Sequence, residues 1–199
     1  DPPEEGLIHE SLRSSFDTSV SNWHIVGGYW NVSNGKLIAG SSHAHTYGMI
    51  LTPLSLDTFN ASFVVTPMSG NMSILSYVGL VYSFRGETNY KMVQILFHKN
   101  GYIYVFLNSV NGTSWMHGQT IPQWPGQKTN ISWAFGVTYK VDVIVTSTLV
   151  KVLIDGKEVL SVHSINRRGK IGLFYARFNK VTFDDFMIDG VKKITIRTI

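Results

Sequence analysis

Residues 78–107 constrain the fold of this chain more than any other stretch. They read Val-Gly-Leu-Val-Tyr-Ser-Phe, break at Arg85-Gly86-Glu87-Thr88-Asn89, and resume as Tyr-Lys-Met-Val-Gln-Ile-Leu-Phe-His-Lys. After Asn100-Gly101 the run continues as Tyr-Ile-Tyr-Val-Phe-Leu-Asn. β-Branched and aromatic residues in segments of strand length predict strands, and Asn-Gly between two such runs signals a hairpin. The stretch is predicted to be a three-stranded antiparallel meander in the middle of a sheet.

A two-residue turn at Asn100-Gly101 sets Phe97 opposite Tyr104 and Ile95 opposite Phe106. One face then carries Val93, Ile95, Phe97, Tyr102, Tyr104 and Phe106, and is expected to be the core face. The other carries Met92, Gln94, Leu96, His98, Ile103, Val105 and Leu107. A longer turn would move the pairing by one residue and exchange these sets. Two largely apolar faces imply that both are covered, or that one is a binding groove.

The same vocabulary runs through the rest of the chain. Strands are predicted at 22–26, 29–32, 36–39 after an Asn34-Gly35 turn, 47–51 and 61–66. Residues 67–71 (Pro-Met-Ser-Gly-Asn) read as a loop. In residues 139–145, Tyr139, Val141, Val143 and Val145 alternate with Lys140 and Asp142, as a half-buried strand requires. Residues 149–154 turn back at Asp155-Gly156, and 170–175 and 181–188 close the series. No convincing helical periodicity occurs beyond the first residues. The expectation is an all-β antiparallel sandwich or jelly roll. Its divisions are an N-terminal arm at 1–15, the sandwich at 16–190 and a strand-like tail at 191–199.

Composition narrows the function. The chain has 199 residues, only 15% charged, with a net charge of +4 and no cysteine. The basic doublets Arg167-Arg168 and Lys192-Lys193 are too few for a nucleic-acid footprint. Disulfide and thiol chemistry is excluded, and no run reaches membrane-spanning length. Five N-x-[ST] sequons occur, at Asn31, Asn60, Asn71, Asn111 and Asn130, where chance supplies about two. They point to a secreted or cell-surface glycoprotein whose sugars provide hydration that charged groups usually supply. The chain opens on Asp1, so a processed start is expected, and a glycoprotein without cysteine suits an archaeal surface.

No catalytic constellation emerges. Glycosidases of this class need two carboxylates close together, and the chain has no Glu-x-Asp-x-x-Glu run. Glu87 lies in a turn, Asp142 on a strand, Asp155 at a hairpin tip, and Asp184 and Asp185 point to opposite faces. A Gly-x-Ser-x-Gly elbow is also missing. His43 and His45 share one face of an extended segment but lack the further ligands a metal needs. No enzyme and no cofactor are expected. A structural calcium at Asp184 or Asp185 would be short of acidic partners. Trp115 and Trp124, in the irregular stretch 108–128, could either stack on sugar rings or plug the sandwich edge. Trp30 and Trp133 read as core.

The order of motifs resembles laminin-G-like domains of the concanavalin A-like jelly-roll superfamily. Phe16, Trp23 and Gly28-Tyr-Trp-Asn-Val-Ser-Asn-Gly-Lys-Leu resemble the opening. Gly79-Leu-Val-Tyr with Asn89-Tyr-Lys-Met-Val-Gln-Ile resembles the middle. Tyr139-Lys-Val-Asp-Val, Val152-Leu-Ile-Asp-Gly-Lys-Glu-Val, Gly169-Lys-Ile-Gly-Leu-Phe and Val181-Thr-Phe-Asp-Asp-Phe resemble the close, so the likeness spans residues 16–188. It implies two packed antiparallel sheets with glycan binding or adhesion, and no single activity. Two functions remain open. One is a structural or adhesive surface subunit that joins copies of itself or other surface proteins by donating a terminal strand. The other is a carbohydrate-binding module using Trp115, Trp124, Gln94, His98 and Tyr82, with glycans as partners.

Overall fold

The computed structural model describes residues 4–17, 20–41, 47–71, 75–112 and 126–196. The strands are β1 (Glu4–Ser14), β2 (His24–Gly27), β3 (Trp30–Ser33), β4 (Lys36–Ala39), β5 (Tyr47–Leu56), β6 (Thr58–Gly70), β7 (Ser76–Gly86) and β8 (Asn89–Phe97). They continue as β9 (Tyr102–Asn111), β10 (Gly126–Ser132), β11 (Tyr139–Val145), β12 (Leu149–Ile154), β13 (Lys157–His163), β14 (Gly169–Ala176) and β15 (Phe178–Ile196). No helix occurs among the described residues. The all-β expectation holds.

The strands form two antiparallel sheets. The first runs β13-β12-β11-β6-β15-β4-β3, with β1 also on β15; the second runs β10-β9-β8-β7-β14-β5-β2. Alternation builds the core between them. Val141, Val143, Val150, Val152, Phe63, Val65, Phe183 and Ile188 of the first sheet meet Val78, Leu80, Val93, Ile95, Phe97, Leu173 and Tyr175 of the second, all essentially out of solvent. Trp133 packs edge-on against Phe97 and donates Nε1–H to the His98 carbonyl at 2.8 Å. Trp133 is core as expected, and Trp30 is half-buried against it.

The meander sits where the sequence placed it, with β7 in the middle of its sheet. Its register differs by one residue. Phe97 pairs with Ile103, Leu96 with Tyr104 and Ile95 with Val105. The loop is not a two-residue type I′ turn. His98 N–H donates to the Tyr102 carbonyl at 3.1 Å, and Gly101 N–H to the His98 carbonyl at 2.9 Å. Three residues therefore cross the tip, with Gly101 in the left-handed region (φ 84°), the form that continues into a G1 bulge. The core face is consequently Val93, Ile95, Phe97, Ile103, Val105 and Leu107. Tyr104 and Phe106 lie on the opposite face with Met92 and Leu96.

Residues 67–70 are strand, not loop. Beyond Val65, β6 has lost its β11 partner and pairs only with β15, where Pro67 faces Val181. Proline is tolerated there because no ladder bond is required of its missing N–H.

The arm and the tail also read differently in three dimensions. β1 pairs with β15 residue by residue from Glu4↔Ile196 to Ser14↔Phe186. The expected boundary at 190/191 falls inside β15, while the one at 15/16 lies just past the end of β1. β15 changes its neighbour on that side near Asp184–Asp185: β4 pairs with Val181, Thr182 and Phe183, and β1 takes over from Phe186. Asp185 adopts φ 46° at this irregularity, and its N–H donates to Asp184 Oδ1 at 2.8 Å. The Asp184 carboxylate is thus engaged by the backbone of its neighbour.

Candidate functional site

The two outer faces of the sandwich differ in chemistry. On β11 of the first sheet, the outward positions Lys140, Asp142 and Ile144 are exposed or half-buried. On the second sheet, Met49, Leu51, Tyr77, Val81, Tyr90, Met92, Leu96, Phe106 and Phe174 form a second apolar cluster, also out of solvent. Gln94 stands on this face between Met92 and Leu96. It is 1% exposed, and its Oε1 has no hydrogen-bond partner among the described residues. The Tyr90 hydroxyl also lacks a partner among the described residues, and burial pushes its pKa up.

The expected binding residues do not converge. Gln94 is on the outer face as predicted. His98 lies at the β8–β9 loop, its ring 4.9 Å from that of Tyr104, with Nδ1 accepting from Asn100 N–H at 3.1 Å. Tyr82 is a correction: it points into the core, 0% exposed and edge-on to Phe59, and no ligand on the outer face reaches it. The register explains why, since Tyr82 alternates with the outward Val81 and pairs with Lys91 near the start of β8. Trp115, Trp124, His43 and His45 lie outside the described residues. Among the described residues no cluster of His, Asp and Glu could hold a metal ion. All five sequon asparagines, Asn31, Asn60, Asn71, Asn111 and Asn130, are exposed.

A site does form at one end of the sandwich, from segments distant in sequence. There the β7–β8 turn meets residues 164–170, which run from the end of β13 into β14. Ser83 takes φ 50° in an irregular stretch of β7. Its hydroxyl donates to the Arg167 carbonyl at 2.6 Å, and Arg85 Nε–H donates to the Arg168 carbonyl at 3.3 Å. A Cβ on Gly169 would lie 2.2 Å from the Ser83 carbonyl carbon, so glycine is required for these backbones to meet. Lys91 ties the connection from the inner side. Its Nζ donates to Ser164 Oγ at 2.7 Å, to the Ile165 carbonyl, and to Asn166 Oδ1 at 3.4 Å.

Asp57, between β5 and β6, fixes the neighbouring Arg168. One carboxylate oxygen accepts Nε–H at 3.0 Å and Nη2–H at 2.7 Å from Arg168, and the Lys193 N–H at 2.7 Å. Burial works to raise the Asp57 pKa. The hydrogen bonds and charges of Arg168 and Lys193 outweigh it and hold the carboxyl below its usual value.

Two hollows result, sharing Arg85. The larger, 650 Å³, is lined by Val26, Leu51 and Phe84 on its apolar side and by His24, Ser55, Arg85, Glu87, Arg168 and Lys170 on its polar side. Phe84 is half-buried, its ring 5.8 Å from that of Tyr90. The smaller, 440 Å³, has Arg85, Lys91 and Arg167 among its walls. Sequence reasoning registered Arg85 only as part of a turn and Arg167-Arg168 only as a basic doublet. No local pattern signals their meeting, because the contact between β7 and β14 makes it.

No family model and no curated protein matches this sequence. Solved structures do match in shape. Carbohydrate-binding module CBM66 from Bacillus subtilis superposes with a TM-score of 0.62 at 15% identity, covering 87% of this chain and 96% of that one. The potassium-bound Emp46p carbohydrate recognition domain gives 0.62 at 12% identity, covering 90% and 95%. The Crh5 transglycosylase in complex with NAG gives 0.64 at 12% identity, covering 100% and 88%. The likeness is one of fold. This chain has the two-sheet antiparallel sandwich of jelly-roll type that these structures share, and the matches do not single out laminin-G-like modules. At these identities the shared shape carries no residue roles.

Proposed function

We propose that this domain binds carbohydrate, in the 650 Å³ hollow at the end of the second sheet. The observation that carries this reading is the two-sided chemistry of that hollow. A sugar ring has an apolar C–H face and a rim of hydroxyls that both donate and accept. Phe84, Val26 and Leu51 offer the apolar surface, and a half-buried aromatic is the usual platform for such a face. Arg85, Arg168 and Lys170 donate, Glu87 accepts, and His24 and Ser55 can do either. The likeness to a carbohydrate-binding module and a carbohydrate recognition domain supports the same reading.

The alternative, a subunit joined to its neighbours by a donated strand, finds less support. The N-terminal strand best suited to donation is already paired with β15 of its own chain along its length. An extracellular setting, with N-glycans on the exposed sequons, accords with a glycan-binding role and belongs to the same proposal.

A glycan array, followed by titration of the best ligand against Phe84→Ala, tests the site. Binding that weakens about tenfold in the variant, a loss of about 1.4 kcal/mol, supports it. An array without a ligand, or a variant that binds as tightly as the parent, sinks it.

A further inference from the structure

We infer that the 440 Å³ cavity beside the proposed sugar pocket is a subsite for an anionic group, so that the glycan recognised is an acidic one. This rests on the carbohydrate reading and specifies the class of ligand.

Three observations carry it. Arg85, Lys91 and Arg167 all line the cavity, and among the described residues no carboxylate does. Among the described residues, none of the three is within ion-pair distance of an acid. The remaining polar lining, including Ser83, Asn89 and Ser109, carries no charge. Second, Lys91 is held inward by neutral oxygens alone: the Ser164 hydroxyl, the Ile165 carbonyl and Asn166 Oδ1. Burial pushes its ammonium below the ordinary lysine range, and the Arg167 charge adds to the effect. A lysine placed there for stability alone would be better served by a carboxylate or by solvent. Third, Arg85 lines both hollows. A ring on Phe84 and an anionic substituent among Arg85, Lys91 and Arg167 would therefore occupy adjoining spaces.

Carboxylate, sulfate and phosphate share the recognising chemistry, a negative group with several acceptor oxygens facing cations that have no acidic partner among the described residues. On a glycan the first two arise as uronic acids and sulfate esters. Asn111 lines the same cavity, so this inference expects that sequon to be bare.

The test is calorimetric titration of the full chain with four probes: an oligogalacturonate, the neutral galactose oligomer of equal length, its sulfated counterpart, and sodium sulfate. The acidic oligomer is expected to bind at least about tenfold more tightly than the neutral one, with the preference shrinking as salt is raised. Arg167→Glu is the informative variant. Its guanidinium bonds to nothing else among the described residues, so the fold is not at stake, and the preference should vanish while neutral binding persists. A sulfated oligomer preferred over the uronate identifies a sulfate ester as the group and also supports the inference.

Equal binding of acidic and neutral oligomers overturns the anionic subsite and leaves the carbohydrate reading standing. Sulfate binding that is lost in Arg167→Glu, with no affinity for any oligomer, supports the anion cavity and removes the carbohydrate reading instead. Peptide mapping of the native protein that finds Asn111 glycosylated throughout also overturns the subsite.

Discussion

Arg168 closes on Asp57 through two hydrogen bonds to a single carboxylate oxygen, at 3.0 and 2.7 Å. That pair joins the β5–β6 corner to the strand entering β14, and the Lys193 N–H draws β15 into the same junction. Asp57→Asn keeps an acceptor but removes the charge. It should lower stability by about 1–2 kcal/mol, at the modest end because the side chains retain 22% and 37% exposure. The pH dependence follows from the lowered carboxyl pKa. A depressed acid stabilises the fold above its unfolded value, and that contribution disappears as pH falls through the folded one. The gap between wild type and variant should thus be constant above about pH 5 and close on acidification. Urea unfolding across that range measures it, and a gap that widens in acid would contradict the assignment.

Gln94 carries the opposite kind of side chain, buried and unsatisfied. Its Oε1 lies on a face shared with Met92, Leu96 and Phe106 and meets no donor among the described residues. Gln94→Met keeps nearly the same volume and removes that atom, so the variant should gain about 1 kcal/mol by denaturant midpoint. A loss would mean that the carbonyl is satisfied in solution and that this face holds water or a ligand.

Two glycines separate backbone cost from packing cost. A Cβ on Gly101 or on Gly86 would meet nothing within 4 Å. Only Gly101 has positive φ. Gly101→Ala should cost about 1 kcal/mol, while Gly86→Ala should be neutral or slightly stabilising. Thermal unfolding of the pair decides it, and equal effects would contradict the three-residue loop.

That loop shows where the sequence stopped being legible. Strand identity was readable along most of the chain, though not in β1, at residues 67–70 or at the start of β10. Alternation in residues such as Tyr139, Val141, Val143 and Val145 is a local signal, and the structure buries all four. Register was not. An Asn-Gly pair suits either a two-residue turn or a three-residue loop, and the choice here is tied to contacts from elsewhere. Trp133 bonds to the His98 carbonyl through its ring and to the Gly101 carbonyl through its backbone N–H. The one-residue shift carried Tyr104 and Phe106 to the outer face. The candidate site was less legible still. Phe84, Arg85, Arg167 and Arg168 meet only because β14 pairs with β7, a contact across more than eighty residues that no sequence window contains.

The pairing of β1 with β15 makes a final prediction about solubility. β1 brings little apolar burial, since Leu7 and Ile8 are exposed and only Leu12 packs against the core. Its contribution is to occupy the hydrogen-bonding edge of β15 from Phe186 to Ile196, with Lys192 and Glu10 3.4 Å apart along it. An uncovered edge of that length is a template for another chain. Deleting residues 1–14 should therefore leave a folded domain, reduced by about 2 kcal/mol at most for the partly buried Leu12, that self-associates with rising concentration. Sedimentation velocity on the full and shortened chains distinguishes the outcomes. Adding a peptide of the β1 sequence should restore the behaviour of the full chain, because the peptide can re-form the same ladder. A shortened chain that sediments like the full one at every concentration would show that β15 needs no cover, and that β1 serves something other than protecting the edge.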